Sequence, residues 1–227
     1  MNNTILIFWA GSWIWDACLQ YGTKENENVL WFSRNWNQSE NLLSGENFYY
    51  CDLTNRSSLI QTTNLINNNV NAIKWIILAA GDGLFKNIED INEDVLDYHF
   101  SLNVTSYILL LKQLFPLIKK SPSLMIVFIS SIASLQWFPE SVAYCASKHA
   151  ITGVARALRE DWKQYDIRVT NIILGAVATD IWNWRNLFNK DDMLDPKDVA
   201  KTIFSLINLP KDIYIDEIKI VPKKWVL

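Results

Sequence analysis

Short apolar runs recur along the chain, and many of their residues are β-branched or aromatic. Several runs are apolar at consecutive positions, which is typical of parallel strands that are covered on both faces. Polar stretches separate each run from the next. The pattern predicts six strands, at Ile5–Phe8, Val29–Phe32, Ile73–Leu78, Leu124–Ile129, Val169–Leu174 and Ile213–Val221.

Segments with helical spacing lie between these runs. Leu102–Ile118 and Ala143–Trp162 repeat apolar residues at intervals of three or four, as amphipathic helices do. Asp195 before Pro196 is typical of a helix start, with the aspartate as N-cap. Alternating strands and helices predict βαβ units with right-handed crossovers. We therefore predict an α/β fold: a single Rossmann-type domain over residues 1–227, with a doubly wound, mostly parallel sheet and helices on both faces.

Composition and charge argue against several classes of protein. A chain of 227 residues suits one domain with a sizeable core. The formal net charge of −3 gives no electrostatic case for binding nucleic acid. No apolar run approaches the roughly 20 residues of a membrane span, and Met1-Asn2-Asn3 lacks the basic start of a signal peptide. We expect neither a nucleic-acid partner nor a membrane.

The cysteines and histidines predict no metal site. Cys18, Cys51 and Cys145 are odd in number and scattered, which favours reduced thiols in a cytoplasmic protein. His99 and His149 stand apart from any cysteine cluster, and we interpret them as ordinary core or surface residues rather than ligands.

The strongest chemical pattern is Tyr144-Cys145-Ala146-Ser147-Lys148. On a helix the tyrosine and the lysine share a face. An ammonium beside the phenol should lower the phenol's pKa from about 10, so Tyr144 becomes a candidate acid or base. The alternative is a chance pair on a solvated helix.

Two further polar residues lie within or directly after predicted apolar elements, where a polar side chain is unexpected. Ser131 ends the run Leu124–Ile129, at the sheet edge where ligands bind in open α/β folds. Its alternative role is a strand-end cap. Asn103 interrupts an apolar helical segment, where asparagine is unfavourable. Its alternative role is a buried amide satisfied by the backbone.

The segment after the first strand has the form of a nucleotide-binding turn with the wrong residues. Were Trp9, Trp13 and Trp15 glycine, Phe8–Ala17 would closely match the G-x-x-x-G-x-G turn of short-chain dehydrogenases/reductases. The chain resembles that family from Ile5 to Pro222. The resemblance is carried by this turn and by Phe128-Ile129-Ser130-Ser131-Ile132-Ala133, Tyr144-Cys145-Ala146-Ser147-Lys148 and Ile167-Arg168-Val169-Thr170-Asn171.

The resemblance implies a set of site residues. Ser131, Tyr144 and Lys148 match the family's catalytic triad, and Asn103 matches the asparagine that completes the tetrad. Leu78-Ala79-Ala80-Gly81 resembles the family's N-N-A-G segment, from which Leu78 and Ala79 depart. With the end of the second strand included, the predicted cofactor-binding residues are Trp9, Gly11, Ser12, Trp13, Ile14, Trp15, Ser33, Arg34, Asp52, Leu53, Ala80, Gly81, Tyr144, Lys148, Gly175, Val177 and Thr179.

The tryptophans at glycine positions have two explanations. The chain has 7 Gly and 11 Trp, whereas average usage of about 7% predicts about 16 Gly. One explanation is a degenerate protein that has lost its cofactor. The other is a UGA codon that means glycine in the source and is translated as tryptophan. We favour the second, because the richness in Asn, Ile and Lys indicates an AT-rich gene, in which so much Trp is unexpected.

The end of the second strand bears on the choice of cofactor. An acidic residue there would favour the ribose hydroxyl of NAD. The strand instead ends in Ser33 and Arg34, and a guanidinium suits the 2′-phosphate of NADP. We therefore predict NADP(H) over NAD(H), with an ordinary surface arginine as the alternative.

The predicted function is hydride transfer between a nicotinamide cofactor and a small, apolar carbonyl or alcohol. The segment Ile181–Leu194 should cover the substrate, with Trp182, Trp184 and Phe188 as an apolar lining. The resemblance implies a homodimer or homotetramer. The alternative is a cofactor-free binding or regulatory protein on the same scaffold, if Trp9, Trp13 and Trp15 are genuine.

Overall fold

A computed structural model describes residues 4–9, 28–34, 47–179, 182, 189–207, 209–210 and 212–224. The strands are β1 (Thr4–Trp9), β2 (Asn28–Ser33), β3 (Asn47–Tyr50), β4 (Ile73–Ala79), β5 (Met125–Ser131), β6 (Arg168–Leu174) and β7 (Glu217–Ile220). They form one sheet in the order β3-β2-β1-β4-β5-β6-β7, and every neighbouring pair is parallel. The predicted α/β class with a doubly wound sheet is confirmed.

Two strands differ from the prediction. β3 was not predicted, because its four residues are too short a run to stand out in the sequence. The last strand was predicted over Ile213–Val221, but only Glu217–Ile220 pairs with β6 as a strand. The residues before it contact β6 without forming a ladder, for example where the Thr170 hydroxyl donates to the Ile215 carbonyl at 2.7 Å.

The helices cover both faces of the sheet. They are α1 (Arg56–Asn69), α2 (Glu93–Phe100), α3 (Ser106–Ile118), α4 (Val142–Trp162) and α5 (Pro196–Ile207). A π-helical segment, Ser101–Thr105, joins α2 to α3. The predicted N-cap of α5 is confirmed, because the Asp195 carboxylate accepts from the Lys197 amide at 2.8 Å.

Side-chain alternation along the strands divides the core into two layers. Leu6 and Phe8 of β1 lie in a cluster with residues of α1, α3 and α4. Ile5 and Ile7 point to the other face, where α5 supplies Ile203 and its neighbours. A sheet buried on both faces explains why the strands read as nearly continuous apolar runs.

The continuous helical run Glu93–Ile118 is long and apolar enough to cross a membrane by length and composition. The sequence had predicted no such stretch, because the polar residues around Asn103 divide the apolar run. In the described part of the chain this helix packs as a core helix, with Leu110, Leu114 and Ile118 fully buried.

Candidate active site

The predicted site residues lie at the carboxyl ends of the central strands. Trp9 ends β1, Gly81 follows β4, Ser131 ends β5 and Gly175 follows β6. The order of the strands reverses between β1 and β4, and open parallel sheets bind their ligands outside the strand ends at such a point.

Ser131 and two residues of α4 meet at this edge. Tyr144 lies in the first turn of α4 and Lys148 follows one turn later, so both project from the same face. The Ser131 hydroxyl lies close enough to the Tyr144 phenol to lower the phenol's pKa. The Lys148 ammonium lies 5.6 Å from the centre of the Tyr144 ring.

Burial shifts the pKa values of both ionisable groups away from their charged forms. It raises the pKa of Tyr144 to about 12, even though the hydrogen bond from Ser131 lowers it. It also lowers the pKa of Lys148 to about 8. The expected lowering of the phenol's pKa by Lys148 is therefore wrong for this structure, because lost hydration outweighs the nearby ammonium. Tyr144 is protonated at neutral pH.

Asn103 lies in the π-helical segment between α2 and α3, and is buried. Its Oδ1 accepts from the Asp82 amide at 2.9 Å, and its Nδ2 donates to the Asp82 carbonyl at 2.9 Å. A Cβ added to Gly81 would lie 3.3 Å from Asn103 Oδ1 and 3.4 Å from Lys148 Nζ. Gly81 therefore lies between the asparagine and the lysine. Single π turns are frequent at functional sites.

Two buried residues of this cluster, His99 and Ser147, were not predicted from the sequence. His99 Nε2 lies 3.1 Å from the Ser147 hydroxyl and 3.2 Å from Asn103 Nδ2. The His99 ring centre is 6.2 Å from that of Tyr144. Burial, and then the charge of Lys148, lower the pKa of His99 to about 4. The available signal was the position of His99 one turn before Asn103 in the same helical run.

A cleft at the β1 and β2 side collects five of the predicted cofactor-binding residues. They are Trp9, Arg34, Asp52, Leu53 and Ala80, and the same cleft is lined by Cys51, Tyr98 and Leu102, which were not predicted. Charged groups lie beside apolar walls in this cleft. Ser33 differs from its neighbour Arg34 because it is buried at the end of β2.

Arg34 is exposed and engages α2. Its Nη1 donates to the Tyr98 hydroxyl at 2.6 Å, and its guanidinium lies 5.7 Å from the centre of that ring. This hydrogen bond to the Tyr98 hydroxyl raises the pKa of Arg34. Asp52 is held nearby, where Oδ1 accepts from the Thr54 amide at 2.9 Å and the Thr54 hydroxyl at 2.7 Å.

The indole of Trp9 packs among aromatic side chains. Its ring centre is 5.4 Å from Trp31 and 6.5 Å from Phe48, both edge to face. Trp9 is half-buried and also lines the cleft beside Arg34. The remaining predicted residues of the turn, Gly11, Ser12, Trp13, Ile14 and Trp15, lie outside the described residues.

The segment after β6 is held by close packing. The Gly175 amide donates to the Ile220 carbonyl at 2.8 Å, and an added Cβ at Gly175 would lie 2.7 Å from Pro222 Cδ. Val177 forms a bridge with Leu194, and Thr179 is buried. Glycine at position 175 therefore allows a close approach of two backbone segments.

Aromatic side chains stand beside Tyr144. The Phe85 ring centre is 5.0 Å from that of Tyr144 and 6.3 Å from that of Trp182. The Trp182 Nε1 donates to the Val177 carbonyl at 2.9 Å, which fixes the indole. Trp184 and Phe188 lie outside the described residues. Phe85 is a lining residue that the sequence analysis missed.

Comparisons with known proteins agree with this geometry. The family model for short chain dehydrogenases matches residues 16–189, most of the chain. Sepiapterin reductase of Chlorobaculum tepidum is 27% identical over 171 residues, 75% of this chain and 70% of that protein. An uncharacterised oxidoreductase of Staphylococcus aureus is 24% identical over 220 residues, 94% of each chain.

The fold is also that of a solved enzyme structure. The alcohol dehydrogenase of the archaeon Thermococcus sibiricus, complexed with 5-hydroxy-NADP, superposes with a TM-score of 0.83 at 17% identity, covering 97% of each chain. Fold, strand-end constellation and family match therefore agree, and the chain belongs to the short-chain dehydrogenase family of oxidoreductases.

Proposed function

We propose that this chain interconverts a carbonyl and an alcohol by hydride transfer, with Tyr144 as the proton donor in the reductive direction. The observation that carries the proposal is the meeting of Ser131, Tyr144 and Lys148 at the carboxyl ends of β4 and β5. The phenol is protonated at neutral pH, because burial raises the pKa of Tyr144 to about 12. It also lies near a second hydroxyl, that of Ser131, which can face the same oxygen.

Each polar group of the cluster has a distinct role in this proposal. Tyr144 donates a proton to the carbonyl oxygen, and Ser131 polarises that oxygen by a second hydrogen bond. Lys148 stabilises the phenolate that forms, since its ammonium lies beside the Tyr144 ring. Asn103, anchored on the Asp82 backbone, supports a proton relay through water. The nicotinamide group, when bound, supplies the hydride.

We assign the cleft lined by Arg34 and Asp52 to the adenosine end of a dinucleotide. Leu53 and Ala80 supply apolar walls for the base, Asp52 lies beside them, and Arg34 offers a guanidinium at the exposed side. A guanidinium binds phosphate oxygens in a bidentate manner. We favour NADP(H) over NAD(H) on this ground, and the complex of the Thermococcus sibiricus enzyme with 5-hydroxy-NADP supports it. Gly81 would approach the nicotinamide half, with Gly175, Val177 and Thr179 on its other side.

The substrate in this proposal is small and apolar, because Phe85 stands beside Tyr144 and Trp182 packs against Phe85. We further propose that residues 1–227 act as one domain, as a cytoplasmic homodimer or homotetramer. Exposed apolar side chains on α3 and α4, Ile108 and Val142, are available for such contacts.

The rival function is a cofactor-free binding or regulatory protein, which genuine tryptophans at positions 9, 13 and 15 would favour. Glycines of this turn serve backbone geometry and close approach of phosphate. The rival predicts no NADPH binding by the chain with these tryptophans. A fluorescence titration of that chain, beside the combined variant Trp9→Gly, Trp13→Gly, Trp15→Gly (the triple-glycine variant), separates the two functions. Micromolar binding by the tryptophan form would refute the steric argument.

Turnover by the triple-glycine variant tests the catalytic assignment. It is assayed with NADPH against a panel of aldehydes and ketones, and Tyr144→Phe is then added. We expect turnover to fall about 100- to 10,000-fold, the usual contribution of a positioned acid, while folding and cofactor binding persist. Tyr214→Phe, which removes an exposed phenol bonded to Asp166, is the matched control. An unchanged rate in Tyr144→Phe would show the assignment to be wrong.

A further inference from the structure

His99 has no part in the mechanism above, although it is buried at its centre. It lies in the last turn of α2 and is 2% exposed. Its Nε2 faces two polar groups: the Ser147 hydroxyl at 3.1 Å and Asn103 Nδ2 at 3.2 Å. A buried imidazole with one nitrogen aimed into a catalytic cluster requires a physical account.

The orientation of the Asn103 amide fixes what His99 can do. The Asp82 amide must donate to the Asn103 oxygen, and the Asp82 carbonyl must accept from the Asn103 nitrogen. The atom that faces His99 is therefore an NH₂ group, which donates and never accepts. The Ser147 hydroxyl accepts from Asn103 Nδ2 at 3.2 Å and has a single proton to give. That proton goes either to the Tyr144 carbonyl at 2.8 Å or to His99 Nε2 at 3.1 Å. Nε2 can therefore accept from both neighbours, whereas a proton on Nε2 could be donated only to the Ser147 oxygen.

We propose that His99 is a positioning residue, held neutral with its proton on Nδ1, whose Nε2 accepts from the Asn103 amide and fixes that amide on the Asp82 backbone. The role in turnover rests on the proposed function, whereas the tautomer does not. Protonation of Nε2 would set a donor against the Asn103 NH₂ group, in the neighbourhood of the Lys148 ammonium.

The ring protonation can be read directly in the full chain, without cofactor. The chain has 2 histidines, so His149→Gln assigns the remaining ring signals to His99. We expect the ring ¹⁵N shifts at pH 7 to report a neutral imidazole protonated at Nδ1. A proton on Nε2, or an imidazolium, would overturn the proposal. Asn103→Ala removes the donor and should shift the Nε2 signal, whereas an unchanged signal would also count against it.

The kinetic consequence is tested in the triple-glycine variant. His99→Phe keeps a ring beside Tyr144 but offers no acceptor. The Asn103 amide then keeps only the Asp82 carbonyl and Ser147 Oγ as acceptors. Loss of one positioning hydrogen bond should lower kcat about 2- to 10-fold, with KM for NADPH changed less than about twofold. His99→Gln offers an amide oxygen and should restore most of the loss.

A double-mutant cycle shows whether His99 acts through Asn103. In the Asn103→Ala background, His99→Phe should cause no further loss of kcat. If the two substitutions lower kcat independently, so that their fold-losses multiply, the proposal is overturned. A folded His99→Gln whose kcat falls more than about tenfold would also overturn it. If His99→Phe does not fold, His99→Leu takes its place in the cycle. Tyr144→Phe is measured in parallel: full activity there contradicts the proposed function and leaves the tautomer result standing.

Discussion

Acidification should destabilise this protein through His99. The fold lowers the pKa of this imidazole from 6.5 to about 4, by burial and by the charge of Lys148, against a smaller opposing effect of Asp82. The unfolded chain therefore binds a proton that the folded chain excludes, and stability falls as pH drops below about 6.5 and levels off below about 4. From these two pKa values, the free energy of unfolding should fall by about 2 kcal/mol between pH 7 and pH 5.

Urea unfolding at pH 7, 6 and 5 measures this loss in the native chain and in His99→Gln. We expect the difference in unfolding free energy between the two to shrink by about 2 kcal/mol between pH 7 and pH 5, because the other titrating groups are shared. His149→Gln, which changes an exposed histidine, is the matched control and should keep the native pH dependence. Equal pH dependence in the native chain and His99→Gln would refute the reasoning.

Two further substitutions test the cofactor cleft and the packing after β6. Arg34→Ala should weaken NADPH binding to the triple-glycine variant about 10- to 150-fold and NADH binding little, and equal losses for the two cofactors would contradict the 2′-phosphate role. Gly175→Ala should cost about 1–3 kcal/mol in urea unfolding by overpacking, because the new Cβ would lie 2.7 Å from Pro222 Cδ. Gly153→Ala, where nothing lies within 4 Å, is its control and should not destabilise.

The fold was predictable because burial on both faces of the sheet leaves a plain signal. Leu124–Ile129 is apolar throughout, and the strand found there runs over Met125–Ser131. β3 gives little signal, since it is only four residues long. The length of the last strand, predicted over Ile213–Val221, was overestimated. An apolar run does not reveal which of its residues pair with β6.

The sequence predicted which residues form the site better than it predicted their pKa values. Ser131, Tyr144 and Lys148 carry a recognisable pattern, and the structure brings them together. The pKa of Tyr144 was misjudged in direction, because the sequence shows the lysine four residues away but not how far burial removes water. His99 and Tyr98 were missed for a related reason. Each acts on a partner from another part of the chain, Ser147 and Arg34, and such contacts exist only in the folded molecule.

Transfer of deuterium from NADPH to product tests the central claim most directly. The triple-glycine variant is supplied with an accepted carbonyl substrate and with NADPH that carries deuterium at C4 of the nicotinamide, in the transferred position. The deuterium content of the alcohol product is then measured by mass spectrometry. The account predicts one deuterium on the carbinol carbon per turnover, and loss of labelled product in Tyr144→Phe. An alcohol without label, or equal labelling in Tyr144→Phe, would contradict tyrosine-dependent hydride transfer at this site.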